Sequence, residues 1–529
     1  MARILRPPFM VCPIAYLLRD EFFDTLAAGA VNGTPATPGP GTRADVDTGG
    51  PLISVASGLL RVAAGTVNWA TTAHNYIDAI PRTAGRVLLC RAIPANANLI
   101  DGPGFKISVG ADGGEVTNKS ASFLHHTAGS LRVVANQQAM IAVGTYTAAA
   151  HQLAIVLRAA GAFFFYQVIG GQWLMVWPDA RGTTNPVYVG LGVRSGAVDY
   201  DYYRLPAQLW TPTPLASDSF NRANASLHNS LTDGAAVEEV GGAGLTWTAV
   251  TWTIAGNMAL NTPTVSVTDL IVNGGFAADT DWDHGAGWSI ALGVASIAGA
   301  ATANEVAHVP PLTTHTWYQV TWTNSAMAAG TIGPLLGTNA LKAFSTDGAK
   351  TVTGVANGTA FAMAGTAATG SIDDVTCKAI TLSTLFATVP CATPDVLIEL
   401  PITDSASNAG GKQVGVVVNL DSAASPANFI IAYLVGDATM KVDEWVAGAR
   451  TNKVAAAVTY AAGAKIKLVR DGTSLRAFYN EIAVGTVQTM TANAGTLHGM
   501  FSTQATPTVD NLAIWARGIE GQYSRLVQF

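Results

Sequence analysis

An aromatic segment with polar neighbours is the part of this 529-residue sequence best suited to chemistry. The stretch WYQVTWTN contains Trp317, Tyr318, Gln319, Trp322 and Asn324. An indole or phenol ring packs against the C–H face of a sugar, while amide groups satisfy sugar hydroxyls. We therefore predict that these residues bind a glycan. Alternation along a strand places the two tryptophans on opposite faces, so the alternative is that they fill a core.

Three alternating carboxylates form a second candidate site. Asp279, Asp281 and Asp283 lie in one short polar segment. Carboxylate oxygens are the ligands that Ca²⁺ prefers, which makes this segment a candidate site for structural calcium. The alternative is turn chemistry, in which an aspartate binds its own backbone. We expect no cofactor to be required.

No recognisable catalytic set occurs in the sequence. Hydrolysis of a glycoside needs two opposed carboxylates. Asp443 and Glu444 are adjacent, so on a strand they would point to opposite faces. Motifs of metalloproteases, serine hydrolases and phosphate-binding loops are missing from the sequence. The sequence therefore predicts a protein that is not an enzyme.

The composition excludes several classes of partner. Charged residues make up 12% of the chain, and 29 basic residues face 35 acidic ones. This balance offers no basic excess to neutralise phosphates, so nucleic-acid binding is not expected. The uncharged stretch 159–177 is divided by Gly170 and Gly171, which favours a hairpin over a membrane span. We recognise no secretory signal and expect no membrane insertion.

Short apolar runs indicate the fold class. Runs such as KISVG, LAIVLR, VGVVVNL and FIIAYLV alternate with clusters of Gly, Asn, Asp, Thr and Pro. The sequence shows almost no helical periodicity. The pattern predicts an all-β chain of tandem antiparallel jelly-roll β-sandwiches, the second interrupted by an inserted third β-sandwich.

An internal repeat suggests the domain boundaries. Residues 151–166 resemble 465–479, and both copies close through a Val-Asp pair. Asp20 and Asp199 are 179 positions apart, whereas Asp218 and Asp510 are 292 apart, so the second copy is 113 positions longer. The predicted parts are an N-terminal docking segment 1–18, a first sandwich 19–208, a proline-rich linker 209–215, a second sandwich 216–267 plus 381–517, an insert 268–380 and a tail 518–529.

The order of the motifs resembles a known family. DSFNRANASL, TWTIAGNMAL, LVRDGTSLRAFYNEIAVGTV and a closing VDNL follow the order of concanavalin A-like/laminin G-like jelly rolls, as in structural proteins of tailed bacteriophages. The insert, with NGGF at 273–276, Trp282 and IDDV at 372–375, resembles carbohydrate-binding jelly rolls. The resemblance implies the fold, while function depends on the site.

These observations predict a non-enzymatic structural protein of a tailed-phage virion, in its tail, fibre or head decoration. Its partners would be other virion proteins, copies of itself and host-surface polysaccharide, after assembly in the host cytoplasm. Sparse charge lowers the desolvation cost of such association. The alternative is an extracellular, secreted bacterial adhesive protein or an accessory module of a polysaccharide-degrading system.

Overall fold

The prediction of an all-β chain is confirmed. Apart from two short 3₁₀ helices at Thr127–Gly129 and Leu382–Leu385, the elements of the described residues are strands in antiparallel sheets. Within the described ranges, no helix is long and apolar enough to span a bilayer. The structure is a computed structural model that describes residues 14–47, 53–63, 69, 72–182, 187–195, 197–236, 239–242, 244–299, 304–308, 312–403, 413–435, 439–491, 494–504, 506, 508–518, 523 and 526.

The chain forms two compact units, 1–212 with 517–529 and 213–516. The boundary between them lies in the proline-rich stretch 205–215. The strands of the first unit are β1 (Tyr16–Asp20), β2 (Val46–Asp47), β3 (Ile53–Ala56), β4 (Leu59–Val62), β5 (Thr72–Asn75), β6 (Val87–Pro94), β7 (Ile100–Lys106), β8 (Lys119–His126), β9 (Ser130–Ala135), β10 (Ile141–Thr145), β11 (His151–Leu157), β12 (Ala162–Val168), β13 (Leu174–Asp179), β14 (Tyr188–Ser195) and β15 (Val198–Pro206).

Two sheets make up the first unit. Sheet 1 has the order β13-β12-β11-β6-β15-β4-β3, with β1 beside β15, and sheet 2 has the order β10-β9-β8-β7-β14-β5-β2. In β14, the buried Val189, Leu191 and Val193 alternate with glycines, so the large side chains point to one face of sheet 2. The opposite face, called here the outer face, carries the glycines.

The second unit contains the remaining strands. They are β16 (Ala216–Asp218), β17 (Ala225–Ser226), β18 (Ala235–Ala236), β19 (Glu239–Val240), β20 (Trp252–Ala255), β21 (Met258–Asn261), β22 (Trp282–His284), β23 (Trp288–Ala291), β24 (Val294–Ala298), β25 (Asn304–His308), β26 (Trp317–Leu336), β27 (Asn339–Ala340), β28 (Gly348–Val355), β29 (Phe361–Ala379), β30 (Phe386–Pro390), β31 (Val396–Thr403), β32 (Gln413–Leu420), β33 (Phe429–Val435), β34 (Thr439–Val446), β35 (Ala449–Ala457), β36 (Ala464–Asp471), β37 (Ser474–Tyr479), β38 (Ile482–Ala483), β39 (Gln488–Thr489), β40 (Leu497–Ser502), β41 (Thr508–Val509) and β42 (Leu512–Ala516).

The two copies of the sequence repeat share one topology. Sheet 3 contains the path β17-β20-β21-β41-β31-β36-β37-β38, and sheet 4 has the order β30-β40-β32-β33-β34-β35. Hairpin β11–β12 lies beside β6 in sheet 1, as hairpin β36–β37 lies beside β31 in sheet 3. Sheet 4, taken from β35 to β30, matches sheet 2 taken from β10 to β5. The repeat therefore corresponds to two sandwiches with the same strand order.

The segment between the two parts of the second sandwich has a sheet and a core of its own. Strands β22 to β29 form sheet 5, in which β26 and β29 pair through several register shifts. Trp282 and Trp288 lie in its core. By compactness this segment belongs to the second unit. The exact domain boundaries stay predictions.

One face of sheet 5 packs on sheet 4. Trp317 and Val355 belong to a buried apolar cluster with Phe501, Trp445 and other side chains of sheet 4. The ring centres of Trp317 and Phe501 are 5.4 Å apart, and the Trp317 indole lies nearly parallel to Trp445 at 6.3 Å. The face of sheet 4 that carries Phe501 and Trp445, called here its outer face, is therefore covered by the inserted segment.

The predicted docking ends pack on their own chain where the structure describes them. Residues 1–13 lie outside the described residues, whereas β1 pairs with β15 in sheet 1. Near the C-terminus, Tyr523 and Leu526 are buried, and the Tyr523 ring lies 5.0 Å from that of Phe165 in the first unit. The contacts described for these residues are intramolecular, and docking of the chain ends on a neighbouring subunit stays a prediction.

Replacing Trp317 tests the junction between sheets 4 and 5. We expect Trp317→Ala to lower the free energy of unfolding of the second unit by about 3–5 kcal/mol, because it leaves a cavity between two packed sheets. Urea denaturation followed by circular dichroism measures the change. The control is Leu292→Ala, a fully exposed side chain, for which we expect a change within about 0.5 kcal/mol. Equal effects of the two substitutions would contradict the packing described.

Candidate functional site

The residues predicted to bind a glycan lie mostly in the interior. Trp317, Tyr318, Trp322 and Asn324 are each at most 2% exposed, and only Gln319 is half-buried. The Trp322 indole N–H donates to Asn324 Oδ1 at 2.7 Å, so this polar pair is satisfied internally. The hypothesis of a glycan site here does not fit the structure, because a buried ring offers no face to a sugar.

The predicted alternation along β26 is confirmed. Tyr318 and Trp322 belong to the core of sheet 5, while Trp317 belongs to the cluster against sheet 4. Both tryptophans are buried although they face opposite ways, because both faces of this strand are covered. The alternation correctly predicts the direction of each side chain, whereas the second covering layer explains why both side chains are buried.

The three candidate calcium ligands are exposed. Asp279 lies 3.4 Å from His284 Nε2, and Asp281 accepts a hydrogen bond from Thr280. Across the described ranges, no group of three His, Cys, Asp or Glu side chains is arranged to hold a metal ion. Asp279, Asp281 and Asp283 therefore do not converge on a shared point, as a calcium site would need.

The adjacent carboxylates of β34 point to opposite faces, as predicted. Asp443 accepts hydrogen bonds from Tyr433 at 2.6 Å and from Arg450, whereas Glu444 contacts Lys453 at 2.8 Å. Hydrolysis of a glycoside requires two carboxyl groups facing one bond. This pair is therefore not arranged as an acid and a nucleophile.

A small cavity lies beside Asp443, between the inserted segment and sheet 4. Its lining includes Thr353, Gln413, Lys441 and Arg450, and its volume is about 50 Å³. This space has room for about three or four water molecules. It is too small for a sugar ring.

The outer face of sheet 2 has a floor of glycines. Gly102 and Gly104 in β7 lie opposite Gly192 and Gly190 in β14, so four neighbouring positions lack side chains. A Cβ atom on Gly190 would lie 2.7 Å from Lys106 Cδ, and one on Gly192 would overlap Asp112. Glycines within strands mark places where another group approaches the backbone closely. Here charged side chains make that approach.

Two lysines and one aspartate lie on this floor. Lys106 and Lys119 are cross-strand partners on β7 and β8. Like charges directly opposite each other destabilise a sheet. Asp112 lies between them, with Oδ1 2.6 Å from Lys106 Nζ and Oδ2 in contact with Lys119 Nζ. All three side chains are fully buried, so the aspartate is the compensating anion for two cations.

An indole and an amide complete the cluster. Lys119 Nζ lies 4.7 Å from the centre of the Trp69 ring, within the range of a cation–π contact. The Trp69 Nε1 and Asn75 Oδ1 atoms are buried without a hydrogen-bond partner. Buried polar groups are normally paired. The cluster therefore combines an aromatic face, two cations and unused hydrogen-bonding atoms.

The segment 107–118 covers this cluster. Asp112 and Asn118 are its buried residues, while most of the others are exposed or half-buried. The backbone N–H of Ser108, near the start of the segment, donates to Asn118 Oδ1 at its end. Glu115 forms an ion pair with the exposed Arg194 at 2.9 Å. The backbone N–H of Asp112 also donates to the Trp69 carbonyl. The segment is thus fastened at several points.

Burial changes the acidity of one lysine in the cluster. Removal from water disfavours the ammonium and lowers the pKa of Lys106 to about 8, although Asp112 acts in the opposite direction. The close ion pair would by itself raise this pKa. Desolvation prevails because one carboxylate is shared by two ammonium groups.

The equivalent face of sheet 4 is different. The strands β32, β33 and β40, which match β7, β8 and β14, carry Val417, Ile431 and Phe501 at its centre. The same strand order therefore accepts an apolar face as readily as a charged one. The charges on sheet 2 are a property of the first sandwich and not a requirement of the fold.

A second buried polar network joins the two sheets of the first unit. Tyr200 of sheet 1 donates to Asp101 of sheet 2, which contacts His125 Nδ1 at 2.7 Å. His125 Nε2 in turn lies 2.7 Å from His151 Nε2, and His151 Nδ1 faces the Ala149 carbonyl. Both Nδ1 atoms must donate, so the shared contact needs one further proton. Burial lowers the pKa of His151 to about 3, so His151 favours its neutral form.

Sequence reasoning missed the lysine cluster. The signal was present in DGPGFK and GLG, where glycines alternate with larger residues inside the strands β7 and β14. Alternate glycines in a strand leave one face bare, and the lysine after the first of these runs continues that face. The register of β7 with β8, which brings Lys106 opposite Lys119, was not accessible from the sequence.

Comparison with known proteins bears on the fold alone. No known protein family matches the sequence, and no curated protein matches it. Similar solved structures include the carbohydrate-binding module CBM66 from Bacillus subtilis, at 13% identity over 25% of this chain and 81% of that chain, with a TM-score of 0.21. The catalytic domain of an endo-1,3-beta-glucanase (laminarinase) from Thermotoga petrophila RKU-1 is 11% identical over 37% of this chain and 98% of that chain, with a TM-score of 0.25.

A beta-1,3-glucanase from Mycobacterium marinum is also similar, at 12% identity over 36% of this chain and 98% of that chain, with a TM-score of 0.23. These structures fit the jelly-roll fold expected from the sequence, while the relation to bacteriophage proteins stays a prediction. The prediction that the chain is not an enzyme is contradicted, since glycoside hydrolases are among these structures. The lack of a known catalytic motif does not separate this chain from enzymes with a similar fold.

Titration of Lys106 gives a test of the cluster. Its pKa of about 8 in the folded state lies below the ordinary value of 10.5, so the unfolded chain binds more protons between these values. We therefore expect the first unit to gain stability as the pH rises from 8 to 10.5. The gain should disappear in Lys106→Met, when urea denaturation of the two proteins is compared at each pH. An identical pH profile for both proteins would contradict the assignment.

Proposed function

We propose that this protein binds glycans and that the outer face of sheet 2 in the first sandwich is the binding site. Trp69, Lys106 and Lys119 are buried beneath the segment 107–118, so a ligand reaches them only when that segment opens. The Trp69 ring is then the stacking surface, Lys106 and Lys119 are the hydrogen-bond donors, and the glycine floor lets the ligand approach the backbone. Apolar stacking with a few well-placed polar groups is the usual composition of a small-molecule site.

The contrast between the two sandwiches carries this proposal. Replacing buried ion pairs with apolar side chains is often neutral or stabilising, so stability alone does not explain them. The second sandwich has apolar side chains on the corresponding face of its equivalent strands, among them Val417, Ile431 and Phe501. The first sandwich retains Lys106 and Lys119. We infer that these charges are kept for binding.

The setting in which the protein acts is proposed from the sequence. A place in a tailed-phage virion, next to other virion proteins and further copies of the chain, is one proposal. The other is an extracellular glycan-binding protein or an accessory module of a polysaccharide-degrading system. Mass spectrometry of purified particles from the source tests the first, since a virion protein is recovered in stoichiometric amounts.

Loss of the indole tests the site. We expect the full-length protein to bind oligosaccharides on a glycan array. We expect Trp69→Ala to weaken this binding by at least about tenfold, because the stacking of a nucleic-acid base on an aromatic side chain contributes about 1–3 kcal/mol and a sugar ring stacks in a similar way. Trp69→Tyr should restore much of it. Thermal melting shows whether each variant is folded.

The matched control is Phe23→Ala, an aromatic side chain of the same unit that is 68% exposed. Its loss should leave binding unchanged. Weaker binding by Phe23→Ala than by Trp69→Ala would assign the glycan to the exposed ring and overturn the proposed site. An array without any hit would overturn the proposed function.

A further inference from the structure

We propose that Asp112 takes the place of a ligand carboxylate, so that the site binds carboxylate-bearing sugars once the segment 107–118 opens. This inference rests on the proposed function and names its ligand class. The segment is then an intramolecular competitor as well as a cover. Neutral sugars lack the group that would replace Asp112.

The arrangement of charges motivates the choice of an acidic ligand. Lys106 and Lys119 face each other across β7 and β8 and are shielded from water, so an anion between them is needed. A carboxylate has two oxygens, and Asp112 uses one for each lysine. A uronic or sialic acid presents the same group with the same charge. Such a ligand meets both lysines without rearrangement of the strands.

The orphaned polar atoms indicate that Asp112 fills only part of the site. Asn75 Oδ1 and Trp69 Nε1 are buried and lack hydrogen-bond partners. An unpaired buried donor or acceptor is costly. The amide oxygen accepts from a hydroxyl, and the indole N–H donates to one. A sugar ring carries hydroxyls beside its carboxylate, whereas the short aspartate side chain has none.

The segment that carries Asp112 is held closed by the contacts described above, and its backbone allows it to open as a loop. It is joined to β7 and β8 at its two ends, and Ser108, Val109, Gly113 and Thr117 are exposed. Gly110 and Gly113, on either side of Asp112, have positive φ angles of 123° and 75° and little within reach of a Cβ atom. Such residues absorb the backbone rotation that opening requires. Beyond the cluster, the exposed Glu115–Arg194 pair helps to hold the segment down.

Chemical rescue tests whether Asp112 stands in for a ligand. In full-length Asp112→Ala, the melting temperature of the first unit should fall, because two buried cations lose their anion. Galacturonate at 100 mM should raise it by at least about 3 °C relative to chloride at equal ionic strength. The wild type should show a smaller shift, since its own aspartate competes with the ligand for the place.

Two controls make the rescue specific. The neutral methyl ester of galacturonate has the same ring without the charge and should not rescue Asp112→Ala. Asp443→Ala removes a buried carboxylate in the second unit, beside Arg450 and Tyr433, and galacturonate should not restore it. No rescue, rescue by the ester, or equal rescue of Asp443→Ala would overturn the inference.

A variant outside the cluster tests the cover. Arg194→Ala removes one exposed ion pair that holds the segment and leaves all three buried charges in place. We expect binding of trigalacturonate to strengthen about two- to fivefold, the equivalent of one exposed pair. Unchanged or weaker binding would contradict the role of the segment. Binding of neutral oligosaccharides without any preference for trigalacturonate refutes the ligand class alone, whereas binding of neither refutes the proposed function.

Discussion

Each sandwich contains one sheet whose second face must be covered by another part of the chain, and both sandwiches depend on this constraint. These sheets are sheet 2 in the first sandwich and sheet 4 in the second. The strands in the middle of sheets 2 and 4 are buried on both faces, so each sheet needs a second layer beyond its own sandwich core. The two copies meet this need differently. The second copy is covered by a 113-position insertion that supplies Trp317 and Val355, and the first by a short segment that supplies Asp112.

The chemical character of the covering layer determines which ligands each face can bind. An aromatic cover gains stability from area removed from water and offers no route for a polar ligand. A cover with one carboxylate over two lysines is held by charge and hydrogen bonds instead, and another anion can compete for the same place. This difference makes the first sandwich the candidate for binding, although the sequence resemblance had pointed to the insert.

Whether the chain is an enzyme depends on its side chains and not on its fold. One fold hosts many unrelated functions, so the jelly-roll fold leaves the activity open. Asp443 and Glu444 cannot face one bond, because neighbours on a strand point apart. The assignment of function therefore depends on individual side chains of the first sandwich.

The sequence by itself determined the all-β class, the repeat and the direction of each side chain along β26. These follow from local periodicity, since alternate residues of a strand face opposite ways whatever surrounds it. The tertiary structure decided which faces are covered and which strands are neighbours. It buried both Trp317 and Trp322, and it brought Lys106, Lys119 and Asp112 together. Periodicity assigns a side chain to a face, but only the packing of distant segments determines what lies against that face.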